Sequence, residues 1–144
     1  MIYSQETEYA LRVIRGLKDG NQKKLASICT EEQIPLSFAY KIGKKLQNAG
    51  FVEIRRGRNG GFRLLRDLKT FSLLDVIQVT DKTFSVQNCV RDFCALNAPG
   101  HPCQIHLELC RIQQELVRLL EEKTMHEILL CDEAKSACSV SSKA

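Results

Sequence analysis

Cys89, Cys94, Cys103 and His106 crowd one short stretch of the chain, and Cys110 follows one helical turn later. Thiolate sulfur and imidazole nitrogen are ligands for soft and borderline metals, and thiolates are also the side chains that oxidants attack first. Cys103 and His106, at i and i+3, project from one side of a helix start. The positive end of that helix favours the thiolate form. Pro99, Gly100 and Pro102 bend the chain between the second and third cysteines. Three chemistries fit these residue types. One is an iron–sulfur cluster held by thiolates, with room for a nitrogen or oxygen ligand. A second is structural zinc with three cysteines and a histidine. A third is a set of free thiols that pair under oxidation. The gaps, four residues and then eight, match no zinc finger or ribbon, which sets zinc behind the other two. Cys110 shares a helical face with Cys103 and is a candidate fourth ligand, although packing is the favoured role. His101 is a lesser candidate, and Cys29 sits on an apolar helical face suited to a core. No base-and-orienter arrangement accompanies any Cys/His pair, so the chain is not expected to be an enzyme.

These residues need elements to hold them. Ala10, Val13, Ile14 and Leu17 recur at helical spacing and predict a helix over about 4–18. Leu25, Ile28 and Cys29 predict a short second helix, and Gln33-Ile34-Pro35 breaks it. A third helix is expected over 36–49, with Ala39, Ile42 and Leu46 inward and Gly50 as its C-terminal cap. Two short helices joined by a tight turn make a helix-turn-helix. Residues 52–55 and 61–64 alternate as strands around the basic tip Arg56-Gly57-Arg58-Asn59-Gly60, predicting a β-hairpin. The fold class expected is mainly α with this small hairpin: a winged helix-turn-helix plus a long helix. Ser72 with Asp75, and Thr124 with Glu127, have the spacing of capping boxes for helices at 73–80 and after 124. Residues 83–103 are expected to form a functional loop. Over about 104–123, Ile105, Leu109, Ile112, Leu116 and Leu119 step by four, three, four and three. That is a helix–helix seam, favoured as a dimer contact.

Charge divides the chain. Residues 1–66 carry 13 Lys and Arg against 6 Asp and Glu, whereas 67–144 carry 8 against 11. From Lys41 to Arg66 eight basic residues face the single acid Glu53. Such a field draws a polyanion. The chain therefore divides into a nucleic-acid-binding region at 1–66, a cysteine loop and dimerisation helix at 67–131, and a small, polar tail at 132–144 expected to be disordered. No apolar run reaches the length of a membrane span, and the opening residues lack the pattern of a secretory signal. A cytoplasmic protein is expected, where seven cysteines do not form a disulfide framework.

From residue 1 to about 131 the chain resembles the Rrf-two family of bacterial winged-helix transcription regulators. The residues that carry the likeness are Ser4-Gln5-Glu6-Thr7-Glu8-Tyr9-Ala10-Leu11-Arg12, the text IPLSFAYKIGKKLQNAGFV, the wing RRGRNGGFRL, the segment SLLDVI and the end Thr124-Met125-His126-Glu127-Ile128-Leu129. The resemblance implies a homodimer on a pseudo-palindromic double-stranded DNA operator. It implies that Ser37, Tyr40 and Lys41 face bases in the major groove and that Arg56 reaches the minor groove. Lys44, Lys45, Arg58 and Arg63 would hold phosphates. Cluster-binding members use three cysteines ahead of the long helix, which here implies Cys89, Cys94 and Cys103. His106 matches the histidine ligand of the IscR type. Glu8 occupies the place from which some members supply a carboxylate across the dimer. Familiar members have five residues in each gap between cysteines, so the four and eight found here leave 2Fe-2S and 4Fe-4S both open. The leading expectation is a repressor controlled by such a cluster, sensing iron, nitric oxide or redox state. The alternatives are a cluster-free thiol sensor on DNA and a zinc-stapled interaction module.

Overall fold

A computed structural model describes residues 3–131. The order of elements is α1 (Gln5–Gly16), α2 (Leu25–Glu32), α3 (Leu36–Asn48), β1 (Val52–Arg55), β2 (Gly61–Leu64), α4 (Leu73–Thr80), α5 (Asn88–Arg91), α6 (Gln104–Glu122) and α7 (Met125–Leu130), with a 3-10 turn at Leu68–Thr70 before α4. The two strands pair antiparallel, Val52 opposite Leu64 and Arg55 opposite Gly61. This is the winged helix-turn-helix expected from the sequence, with the long helix placed after it. The tail at 132–144 lies outside the described residues.

Each helix of the head turns its apolar stripe toward one core. Ala10, Val13, Ile14 and Leu17 of α1 and its exit meet Ile28 of α2 and Ala39, Ile42 and Leu46 of α3, all with no exposed surface. Phe51, Val52 and Phe62 close the core from the hairpin side. Phe71, Val76 and Met125 join the same cluster from further along the chain. The Met125 amide donates to the Phe71 carbonyl at 2.9 Å, and Ser72 pairs with Thr124 in a β-bridge. The segment after α6 is thereby returned to the head.

Local signals explain where several elements begin and end. Both capping boxes form: Ser72 with Asp75 opens α4, and Thr124 with Glu127 opens α7. Each satisfies orphan amides at a helix start, an effect of about 1 kcal/mol. Gly50, at φ 77°, ends α3 as expected, and the Phe51 amide donates back to the Leu46 carbonyl at 2.9 Å. Gly43 has a different reason. A Cβ there would stand 2.4 Å from Cε1 of Phe62, so α3 and the wing pack together only because this position is bare.

Two expectations change. The segment 83–103 is not loop throughout, because Asn88–Arg91 closes one helical turn, with the Asp92 amide donating to the Asn88 carbonyl at 2.7 Å. The first helix also stops at Gly16, two residues before the expected end.

Candidate functional site

Helix α3 presents two faces. Ala39, Ile42, Gly43 and Leu46 are buried, while Ser37, Tyr40, Lys41 and Lys44 are exposed along one outer stripe. The spacing of three, one and three residues keeps that stripe continuous. Beside it the wing forms the other wall of a cleft of about 470 Å³. Lys24, Tyr40, Lys44, Arg55 and Arg56 line this cleft, and no carboxylate does. A positively lined groove beside a protruding helix suits an anionic duplex.

The wing is tied down from the turn between α1 and α2. Lys23 pairs with Phe62 through both backbone groups, at 2.9 and 2.8 Å. Lys24 Nζ donates to the Arg58 carbonyl at 2.7 Å, and Gln22 Nε2 donates to the Asn59 carbonyl at 2.6 Å. A flexible tip is thus pre-ordered, which lowers the entropy lost when it meets a partner. The Arg56 and Arg58 guanidinium groups make no ion pair among the described residues, so their donors stay available. Gln22 and Lys24 were not visible as functional from sequence, because nothing local announces a contact across 34 and 37 positions.

Other basic residues are occupied. Arg63 pairs with Glu53 at 2.9 Å, and Arg55 pairs with the same carboxylate at 3.2 Å. Hydrogen bonding from Arg55 and the charges of both arginines hold the Glu53 carboxyl below the usual range. Lys41 and Lys45 both bind the Glu6 carboxylate of α1. Those bonds, Lys41 first and then Lys45, lower the Glu6 pKa against the opposing effect of partial burial.

The cysteines lie on three different pieces of backbone. Cys89 is on α5, Cys94 is in the turn after it, and Cys103 is the N-cap of α6. Asn97 connects the last two. Its amide donates to the Cys94 carbonyl at 3.0 Å, and its Oδ1 accepts from the Cys103 amide at 3.1 Å. The extra residues of the eight-residue gap bulge out beyond it through the bridge between Ala98 and His101. On α6, Cys110 Sγ lies 3.3 Å from His106 Nε2. Cys110 therefore contacts a candidate ligand. His106 Nδ1 is buried and has no hydrogen-bond partner, an unmet need that costs about 1–3 kcal/mol. Glu8 is paired with Arg12 on its own helix. Among the described residues no three His, Cys, Asp or Glu side chains converge as a metal site. The donor types suit a sulfur-ligated centre, but the loop holds them apart. Cys29 is buried in the core, and burial pushes its thiol pKa up, which removes it from ready thiolate chemistry.

The fold and the basic face define a winged-helix DNA-binding regulator. The chain matches the family model Rrf2, described as an iron-dependent transcriptional regulator, over residues 3–130. It belongs to that family. Protein aau3 of Rhizobium meliloti (strain 1021) is 33% identical over 109 residues, which span 68% of this chain and 71% of that protein. Among solved structures, the global cysteine regulator CymR (YrzC) of B. subtilis superposes with a TM-score of 0.73 at 20% identity, covering 90% of this chain and 96% of that one. The oxidised form of Staphylococcus aureus CymR gives 0.71 at 19% identity, covering 90% and 97%. IscR of T. potens gives 0.67 at 17% identity, covering 90% and 86%. These structural likenesses establish the fold. No helix among the described residues is long and apolar enough to cross a membrane.

Proposed function

We infer that this transcription regulator is a cytoplasmic homodimeric repressor whose grip on a pseudo-palindromic operator is set by an iron–sulfur cluster. Ser37, Tyr40 and Lys41 are the base-facing residues of α3, and Arg56 enters the minor groove. Lys44, Lys45, Arg58 and Arg63 serve phosphates, with Lys45 and Arg63 leaving their ion pairs to Glu6 and Glu53 to do so. Cys89, Cys94 and Cys103 are the thiolate ligands. His106 is the fourth ligand, with Glu8 of the second subunit as its rival. The observation that supports the cluster is a histidine nitrogen, buried and without a hydrogen-bond partner among the described residues, in the first turn of α6, just after a segment that carries three free thiols. A cluster bound there supplies an electron-accepting, nitric-oxide-reactive centre that cross-links the cysteine segment to that helix. The residues of the chain do the rest. The Asn97 bonds tie the backbone of Cys94 to that of Cys103, and α5, which carries Cys89, packs against α6. Movement of α6 shifts the spacing of two recognition helices, and a coupling of 1–3 kcal/mol changes affinity about 5–150-fold.

A second reading is a cluster-free thiol sensor. It draws support from the separated cysteines and from the likeness to a CymR structure in an oxidised form. Purification without air separates the two. Iron, acid-labile sulfide and visible absorbance that vanish in Cys94→Ala while the protein stays folded support the cluster. A colourless protein without iron, whose DNA affinity changes with oxidant, supports the thiol reading and removes the first.

A further inference from the structure

Glu6 stands in the first turn of α1, where a helix dipole favours a carboxylate. That explains an acid at the position, but not the two lysines that reach it from α3. Lys41 Nζ binds one carboxylate oxygen and Lys45 Nζ binds the other. The Glu6 side chain is only 19% exposed, whereas the Lys41 side chain is 61% exposed. The Lys45 side chain, at 35%, is also more exposed than the carboxylate, so Glu6 is the anchored partner and the lysine arms, Lys41 above all, are the movable ones. Two ammonium groups on two anionic oxygens reproduce the contact that a lysine pair makes with a phosphate. Lys41 lies on the same outer stripe as Ser37, Tyr40 and Lys44, so the contact sits at the edge of the surface assigned to DNA.

We propose that Glu6 is a specificity-determining residue: an internal phosphate mimic that occupies Lys41 and Lys45 and suppresses binding to random DNA. This rests on the reading of α3 as the DNA-facing helix. Binding to random duplex is almost wholly a matter of phosphates neutralised and counterions released. Each lysine must leave Glu6 before it can neutralise a phosphate, and the carboxylate then remains beside the duplex. Its charge cancels about one of the two positive charges gained. On an operator Lys41 meets a base edge with one of its three N–H donors and keeps Glu6 with another, so only Lys45 has to exchange the carboxylate for a phosphate. Glu6 thus weakens random binding more than operator binding.

The test uses the full chain, a random-sequence duplex, and an operator selected by the unmodified protein from a random pool. Affinities are measured by fluorescence anisotropy across a salt series. Glu6→Gln is expected to raise affinity for the random duplex about five- to tenfold near 0.1 M salt and to steepen the log–log salt slope by about one unit. The operator gains less, so the ratio of operator to random affinity falls. Lys41→Met with Lys45→Met should flatten the random-DNA slope by about one unit when Glu6 is present and by about two in the Glu6→Gln background. An unchanged slope and unchanged random affinity for Glu6→Gln would overturn the proposal alone. Equal gains with and without the two lysines would also overturn it. A chain that binds no duplex at all overturns the DNA-binding reading, and this proposal with it.

Discussion

Arg56 and Lys44 border the same cleft yet differ in what they can reach. Arg56 leaves the start of the wing tip with an unpaired guanidinium, and Lys44 leaves the outer stripe of α3 beside Tyr40. A guanidinium in a narrow minor groove responds to the local width and potential of the duplex. An ammonium on a phosphate does not distinguish sequences. Arg56→Ala is therefore expected to cut the ratio of operator to random affinity about tenfold. Lys44→Ala is expected to weaken both alike and to flatten the salt slope by about one unit. Anisotropy titrations on the two duplexes read both effects, and equal losses on both for Arg56→Ala would remove its assigned role. The basic residues are not equivalent, because Glu6 and Glu53 claim four of them.

Between elements, the wing depends on two close approaches. Its tip carbonyls accept from Gln22 and Lys24, and its Phe62 ring lies over the bare backbone of Gly43. Gly43→Ala would put a methyl group 2.4 Å from that ring, and α3 and the hairpin would have to separate. Overpacking of this kind costs about 1–3 kcal/mol. The melting temperature should fall by about 5 °C or more, and operator discrimination should fall with it as the wing loses its fixed place. A variant that melts with the unmodified protein would show that the ring moves aside freely. The cysteine segment follows a different logic. It holds itself by backbone turns and the Asn97 bonds, with few buried apolar side chains, and Phe93 is 92% exposed beside Cys94. Segments with so little burial open at low free energy, as the proposed cluster would require of this one.

At the level of the molecule, α6 lacks a complete partner among the described residues. None of its residues is fully buried, and Ile105, Ile112 and Leu119, spaced by seven, are 72%, 41% and 56% exposed. Leu109 and Leu116 are more covered, on the side that packs toward α4 and α5. A second copy crossing along the exposed stripe would bury it in the manner of a helical seam. Ile112→Glu places a charge in the middle of that stripe and is expected to weaken the proposed dimer about 100-fold while leaving the helix content unchanged. Sedimentation equilibrium with far-UV circular dichroism measures both, and an unaltered dimer would rule out this stripe as the interface. Loss of the dimer should also reduce operator binding to that of a single half-site, because two recognition helices need fixed spacing to engage both halves.

The elements were legible in the chain because they follow local rules. Helical periodicity, the Gln33-Ile34-Pro35 break, the basic turn of the hairpin and two capping boxes each act within a few residues. The charge of the head and the inward face of α3 were legible for the same reason, whereas its outer stripe came from the family resemblance. The contacts that select among those residues were not. Glu6 with Lys41 and Lys45, Lys24 with the tip of the wing, and Gly43 under Phe62 join positions far apart in sequence. The sequence alone determined which residues could carry charge, sulfur or apolar surface. Only tertiary structure decided which of them are already paired, since an ion pair or a ring contact depends on distance in space, and periodicity carries no information about that.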